Sequence, residues 1–543
     1  MPQGCVNTEK GTAMRSQAVA QNPRRILCVF PRYTPSFGTF EHAYKLMGVK
    51  AFMPPQGILL IAAYLPESWE VRFVDENIRA ANDREFDWAD AVFVSGMHIQ
   101  RQAMLDIARR AHAHGKVCAI GGPSVSASPE LYGEFDYVHI GEVGDATDAL
   151  IARLDRDVGR PAAQQRFETA DRLPLPDFPI PAYHLIDGRK YMLGSVQFSS
   201  GCPYRCEFCD IPALYGRQPR LKEPKQILAE LDAMLARGPL GAIYFVDDNF
   251  IANRKAAREL LPHLIAWQKE RGYPVHFACE ATLNIAKLPD LLEQMREAHF
   301  TTVFCGIETP ELGALNVMHK EHNLAVPLLE GVETLNRHGM EVVSGIILGL
   351  DTDTPETAAH INDFTDASHI PLLAINLLQA LPRTPLWDRL KEAGRLVDDA
   401  TLESNIVFLR PYEEVLESWH QCVRHAYEPE AVYARFDHNA RHTFPNRKKL
   451  AVTRARLNWP NIRKALTCLF NIFLHVGILS DYRRTFWRMA WPALRKKQIE
   501  ELIHISLVAH HLITYARECE QGRQMASNYA VRPAIASRQA AAQ

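Results

Sequence analysis

The stretch SVQFSSGCPYRCEFCDIP, residues 195–212, opens as a short β-strand and closes as a cysteine-rich loop. Cys202, Cys206 and Cys209 follow the strand at once, in the spacing CxxxCxxC. Three thiolates on one short loop can each reach a different iron of a [4Fe–4S] cube, leaving the fourth iron open to an exogenous ligand. The alternatives are zinc and unligated thiols. Structural zinc normally takes four protein ligands, usually from two knuckles, and the sequence contains no second knuckle.

Working outward, strand signals recur at 242–246 (AIYFV), 276–280 (HFACE), 302–306 (TVFCG), 341–348 (EVVSGIIL) and 372–378 (LLAINLL), with amphipathic helical stretches between them. Six successive βα units predict a partial (β/α)6 barrel with its chemistry at the carboxyl ends of the strands. Upstream, RRILCVF (24–30), VRFVD (71–75), AVFVSG (91–96), KVCAIGG (116–122) and YVHIG (137–141) alternate with helices and predict a doubly wound parallel sheet. Two of these strands run into small residues, Ser95-Gly96-Met97-His98 and Gly121-Gly122-Pro123-Ser124. Such strand ends let a ligand approach the backbone, although tight βα turns use the same residues. No GxGxxG follows the first strand, which opposes a dinucleotide fold.

The expected organisation is a loose extension at 1–23, an α/β domain at 24–155 and a proline-rich linker or strap at 156–190. A partial barrel at 191–395 and a mostly helical region at 396–543 complete it. Hydrophobic residues at 47% and charged residues at 23% exclude a mainly disordered or coiled-coil chain. The net charge of −2 argues against a nucleic-acid binder, yet residues 441–500 carry 14 basic against 2 acidic residues. There, Arg447, Lys448, Lys449, Arg483, Arg484, Arg488, Arg495, Lys496 and Lys497 interleave with Phe470, Phe473, Phe486, Trp487 and Trp491, a mixture suited to a membrane surface. The apolar run Ala465–Leu479 is too short to span a bilayer, and the first 23 residues lack the apolar core of a signal peptide. Eleven sparse cysteines fit a reducing compartment. The expected location is cytoplasmic, peripheral at the inner face of the membrane.

The triad, with the aromatic Phe208 just before its third cysteine, resembles the signature of the radical S-adenosylmethionine superfamily. The resemblance implies that S-adenosylmethionine binds the open iron and is reductively cleaved to a 5′-deoxyadenosyl radical. It also implies contacts from Asp247 and Asp248 (FVDDNF) to the methionyl amino group and from Glu308 (GIETP) to the methionyl or ribose part. Gly345, Ile347 and Gly349 (SGIILG) would lie against adenine. The domain before the barrel resembles the cobalamin-binding domain of the class B radical methyltransferases, through the segment around Pro54 to Leu65, VRFVDEN, SGMH, GGPS and HIGE. Ser95, Gly96, Met97, His98, Gly121, Gly122, Pro123, Ser124, Gly141 and Glu142 are then the candidate cobalamin contacts. The DxHxxG motif that supplies a histidine to cobalt is missing, so no histidine ligation of cobalt is expected, and the lower ligand stays open.

RYTPSFGTFEHAY (32–44) and the run QFSSGCPYRCEFCDIPALYGRQPRLK are similar to hopanoid-methylating members of that class. This similarity implies a methylcobalamin-dependent C-methyltransferase acting on an unactivated carbon of a hopanoid-type lipid, C-2 of the A ring. A ferredoxin or flavodoxin would supply electrons. Because the transfer passes through a carbon radical, no catalytic acid or base is nominated beyond the cofactor ligands. The competing readings are a cobalamin-dependent cyclase or oxidoreductase and a non-catalytic cobalamin or redox sensor.

Overall fold

The computed structural model describes residues 20–399, 402–450 and 459–524. The first unit is a six-stranded parallel sheet of β1 (Arg25–Phe30), β2 (Glu70–Asp75), β3 (Ala91–Ser95), β4 (Val117–Gly121), β5 (Tyr137–Ile140) and β6 (Gln165–Glu168), in the order β2-β1-β3-β4-β5-β6. Its two faces bury separate apolar layers, Ile26, Cys28, Ala91, Phe93 and Val117 on one side and Leu27, Val29, Val92, Val94 and Cys118 on the other. Strands covered on both faces need near-continuous apolar residues, which is why β1, β3, β4 and β5 are legible in the sequence, while β2, at one edge, is legible through Val71, Phe73 and Val74.

Two boundaries differ from expectation. The expected linker at 156–190 contributes β6, whose sequence QRFE gives no apolar run because it forms the sheet's edge and alternates between half-buried and exposed positions. The expected loose extension is anchored before residue 23, because the backbone amides of Gln21 and Asn22 donate to the Asp155 carboxylate. Residues 1–19 of that extension lie outside the described residues.

The second unit contains β7 (Gly194–Val196), β8 (Ser199–Ser200), β9 (Arg220–Leu221), β10 (Ala242–Phe245), β11 (His276–Glu280), β12 (Phe300–Glu308), β13 (Glu341–Leu348) and β14 (Leu372–Leu377). Six of them form one parallel sheet in chain order, β14-β13-β12-β11-β10-β7, which is the open barrel expected. The strand anticipated at 195–200 is split. After Val196 the chain leaves the sheet, and the amides of Phe198 and Ser199 donate to Asp247 Oδ1 instead of to a neighbouring strand. Ser199 and Ser200 then pair antiparallel with Leu221 and Arg220.

The described part of the C-terminal region is mostly helical: Tyr412–Tyr427, Pro429–His442, Trp459–Ile472, a π-turn at Phe473–Ile478, Arg483–Arg495 and Ile499–Glu520, after a non-helical start that includes the bridge between Leu396 and Ile406. Its last helix buries Leu502, Ile505, Leu512 and Ile513 in the same core as the barrel, each such side chain contributing roughly 1.5–3 kcal/mol. Not all of the anticipated basic-aromatic surface is available. Phe486 is buried, and Trp487 stacks on Phe473 while its indole N–H donates to Gly477 O. Arg447 is spent on the carbonyls of Gly339 and Thr301, and Lys448 pairs with Glu297 at 2.5 Å. No helix among the described residues is long and apolar enough to cross a membrane.

Candidate active site at the barrel mouth

The cysteine loop leaves β8 through Gly201, whose φ of +97° favours glycine and whose Cβ position would press on the carbonyls of Gly216, Gln218 and Tyr215. The Gly201 amide donates to Asp248 Oδ2 at 2.7 Å, and the Cys202 amide donates to Gly216 O at 3.2 Å. On the far side, the Glu207 amide donates to Met318 O, and the Glu207 carboxylate takes the Arg389 guanidinium at 2.5 Å. The loop is therefore stapled at both ends while its thiols stay free of disulfides. Cys202, Cys206 and Cys209 are half-buried; the other described cysteines, Cys279 and Cys305 among them, are buried. Burial raises all three loop thiols, and the charges of neighbouring thiolates raise Cys206 and Cys209 further. Three half-buried thiols on one stapled loop that resist ionisation on their own suit a cationic iron cluster, which offsets that cost, and the donor set fits the group.

The strand ends facing this loop carry carboxyl groups. Asp247 is buried, with Oδ1 used by two backbone amides and Oδ2 without a partner; loss of water raises it to about 7. Asp248, next along, is raised to about 6, mainly by the same desolvation. Glu280, at the end of β11, is raised to about 8 by desolvation and by the charges of Asp248 and Asp247. Glu308 ends β12 at a register shift, with φ of +69°, and meets the buried Lys320 ammonium at 2.5 Å. Lys320 also lies over the Phe208 ring at 5.4 Å. A ligand bearing ammonium and sulfonium charge would relieve this crowding of carboxylates, so the strand ends fit S-adenosylmethionine.

Glu280 and Lys320 escape the sequence reading. Glu280 closes the quoted HFACE strand one register step before the aspartates of FVDDNF on the neighbouring strand, a usable signal; Lys320 lies 12 residues beyond Glu308 on a loop without one. The two glycines of SGIILG differ. Gly345 is buried, and a Cβ there would make ordinary contacts, 3.6 Å from Glu308 Oε2 and 3.7 Å from the Phe304 ring. Gly349 has φ of +91°, and its open side is filled by the Phe408 ring, so the expected bare surface there is covered. Ile347 is half-buried on the same strand as Gly345.

In the first sheet, all parallel, the strand order reverses between β1 and β3, where loops diverge and open sheets receive ligands. Ser95, Gly96, Gly121 and Gly122 crowd the adjacent ends of β3 and β4. Gly122 has φ of +102°, and a Cβ there would lie 2.6 Å from Ser95 Oγ. Gly141, at φ of +99°, donates its amide to Ser126 Oγ at 2.9 Å. Pro123 starts the short helix that holds Ser124, whose hydroxyl joins His98 Nδ1 at 3.3 Å to the Tyr132 hydroxyl. Burial lowers His98 to about 4, so its ring is neutral at pH 7. Met97 projects beside it, 44% exposed. The small residues at these strand ends, with the exposed apolar side chain of Met97 beside them, fit a broad planar ligand such as a corrin. Glu142 does not belong to the row as an open contact: it pairs with Arg172 at 2.9 Å and Arg220 at 2.6 Å.

Comparison with known proteins agrees with this geometry. Residues 47–151 match the B12 binding domain, residues 196–365 the radical SAM superfamily and residues 384–525 a domain of unknown function, DUF4070. The chain is 60% identical to hopanoid C-2 methylase of Rhodopseudomonas palustris (strain TIE-1), over 94% of this chain and 97% of that one. Among solved structures, the cobalamin-dependent S-adenosylmethionine radical enzyme OxsB, with aqua-cobalamin and S-adenosylmethionine bound, has the same fold, with a TM-score of 0.59, 13% identity and coverage of 92% of this chain and 80% of that one. The methyltransferase TsrM from Kitasatospora setae, with cobalamin and a [4Fe–4S] cluster bound, gives a TM-score of 0.53 at 17% identity, over 68% and 78% of the two chains.

Proposed function

This chain belongs to the cobalamin-binding radical S-adenosylmethionine methyltransferases, and from that premise we propose that it methylates C-2 in the A ring of a hopanoid lipid. The observation that carries the reading is the position of the cysteine loop. It lies between the carboxylate-bearing strand ends of the barrel and the small-residue strand ends of the first sheet, with Arg220 and Glu142 joining the two beside it. When bound, the cluster with S-adenosylmethionine supplies hydrogen abstraction by a carbon radical, and cobalamin supplies the methyl group.

The residues of the chain bind, orient and exclude water. Cys202, Cys206 and Cys209 hold the cluster. Asp248 fixes the loop through Gly201, and Asp247 fixes the strand before it, so the thiols keep one geometry relative to β10. Asp247, Asp248 and Glu280 attract the positive charge of S-adenosylmethionine, Glu308 and Lys320 form the polar wall opposite Phe208, and Gly345 leaves room beside Glu308. Ser95, Gly96, Gly121, Gly122, Ser124 and Gly141 admit the corrin, while neutral His98, tied to Ser124, acts on its rim.

The lipid is met at a membrane surface. Leu466, Phe470, Ile478, Leu479 and Trp491 are all more than half exposed, and Arg463, Lys464, Arg483, Arg484, Arg488, Arg495, Lys496 and Lys497 are exposed on the same helices and their connections. Each basic residue near an anionic leaflet contributes on the order of 1 kcal/mol, enough for reversible docking. The reductant is a small electron carrier of the ferredoxin or flavodoxin kind. Anaerobic incubation with a desmethyl hopanoid, S-adenosylmethionine, cobalamin and reductant tests the reading. A product heavier by a CH₂ group, methylated at C-2, is expected; a product of unchanged carbon count refutes the transfer.

A further inference from the structure

The helix Ile499–Glu520 brings the end of the described chain back to its beginning, against the short helix Glu41–Met47 within and just beyond the stretch RYTPSFGTFEHAY. His511 is wholly buried at this seam. Its Nε2 lies 3.1 Å from Ser36 O and 3.2 Å from Phe37 O. Carbonyls only accept, so Nε2 carries the ring proton and Nδ1 is a bare lone pair, buried without a partner. His42 repeats the arrangement: its Nε2 lies 3.2 Å from Glu518 Oε2, which leaves its own Nδ1 as the lone pair. Glu41 takes the Thr39 hydroxyl on Oε2, while Oε1 is buried and unpartnered.

One ligand atom from each of Glu41, His42 and His511 lies within 4.8 Å of the other two. With Nε2 of each ring committed to an acceptor, the atoms His42 and His511 have to offer are their Nδ1 lone pairs, and Glu41 has its unpartnered Oε1. Brought together without a donor they repel, and Glu41 and Glu518 add two carboxylates that no described lysine or arginine pairs with. A water molecule can donate to two of the three groups; a dication satisfies all three. The outer contacts are those of metal-bound histidines, each ring fixed by a carbonyl or carboxylate on its second nitrogen. The backbone is also held in an unusual conformation here, because Phe40, immediately before the pair Glu41-His42, has φ of +56°.

We propose that Glu41, His42 and His511 bind a divalent transition-metal ion, apart from the cysteine loop, which clamps the segment 36–47 to the C-terminal helix. Two imidazoles and one carboxylate with an open position for water are a zinc donor set.

Zinc itself is the probe. Enzyme purified anaerobically with its iron–sulfur cluster is passed over a chelating resin and titrated with Zn²⁺. Metal content and X-ray absorption at the zinc edge are then read. The expected result is one zinc per chain with nitrogen and oxygen neighbours at about 2.0–2.1 Å and no sulfur near about 2.3 Å. Glu41→Gln, which keeps size and shape, should weaken zinc binding at least tenfold with an unchanged circular dichroism spectrum, and zinc should raise the melting temperature of the parent but not of this variant. His511→Gln should do the same where it folds; where it does not, Glu41→Gln decides. A sulfur shell, equal zinc content in parent and Glu41→Gln, or no zinc retained by the parent overturns the proposal.

Discussion

Glu142, just beyond β5 of the first sheet, and Arg220, in β9 of the barrel unit, meet at 2.6 Å, two strands of different units joined across the mouth that both line. Arg220 also reaches Ser200 Oγ at 3.0 Å, two residues before Cys202, so the pair ties the sheet directly to the base of the cysteine loop. Nε and Nη1 of Arg220 remain buried without partners, so this side chain has donors to spare in the space between the units.

If the pair sets the distance between the two cofactor sites, Arg220→Lys should uncouple them. Lysine keeps the charge but offers one ammonium where the guanidinium offers a planar fork. Cleavage of S-adenosylmethionine should persist within a few-fold while methyl transfer falls by about tenfold or more, a misplacement effect. Measuring 5′-deoxyadenosine and methylated product in the same reaction gives the ratio; a constant ratio would refute the coupling.

Replacing Cys202, Cys206 or Cys209 singly with Ala should remove the cluster and abolish cleavage of S-adenosylmethionine. Cys279→Ala and Cys305→Ala, in strands, should retain iron and lose only the packing of a small buried side chain, on the order of 1 kcal/mol. Iron and sulfide content per chain decides between the two sets.

Gly122→Ala and Gly349→Ala should destabilise the fold by about 1–3 kcal/mol each, since both combine a positive φ with a blocked Cβ position. Gly345→Ala has room, because its new methyl would meet Glu308 Oε2 at 3.6 Å and the Phe304 ring at 3.7 Å, both ordinary contacts. It should fold normally and bind S-adenosylmethionine more weakly. Urea midpoints and equilibrium binding separate the two classes.

The carboxyl cluster predicts a pH dependence. Asp247 and Glu280 titrate near 7 and 8 in the folded chain against about 4 when unfolded, so the folded state binds more protons across that interval. Stability of the cofactor-free protein should therefore fall as pH rises from about 4 to 8, the sign set by the greater proton uptake of the native state. Glu280→Gln should flatten part of that slope. Affinity for S-adenosylmethionine should move the opposite way and tighten with rising pH as the carboxylates ionise. Melting temperatures at pH 5.5 and 8.5, parent against variant, check the first; isothermal titration checks the second.

Membrane docking should depend on Phe470 and Leu466, both on the exposed face of the helix Trp459–Ile472. Phe470→Glu should reduce sedimentation with anionic liposomes at low salt without changing cleavage of S-adenosylmethionine. Equal recovery of the parent protein in the supernatant with anionic and neutral liposomes would remove the membrane from the proposal.

Much of this architecture is readable because buried parallel strands require unbroken apolar runs, and because the cysteine loop gathers three thiols between residues 202 and 209. What the sequence conceals depends on partners far apart in the chain. Glu142 stands at a strand end, where a ligand contact is expected, but its partners Arg172 and Arg220 come from well downstream, Arg220 from 78 residues later, and take it out of that role. The strand β6 is polar because it is an edge. Gly349 reads as an open surface until Phe408, from beyond the barrel, folds over it. Lys320 gains meaning only through its distance to Glu308.

The contact between His511 and Ser36 spans 475 residues, and it has a consequence for biosynthesis. A ribosome adding about 5–20 residues per second needs on the order of half a minute to a minute and a half to make both partners. Throughout that time Phe37, Ala43 and Leu46, which the finished protein buries, lack the helix that covers them. The barrel strands can pair as they emerge, but this flank must wait for the last helix to leave the exit tunnel. Premature termination before residue 499 would thus release a chain with an intact cysteine loop and an uncovered apolar seam, a species marked for aggregation or proteolysis although both of its parallel sheets are complete.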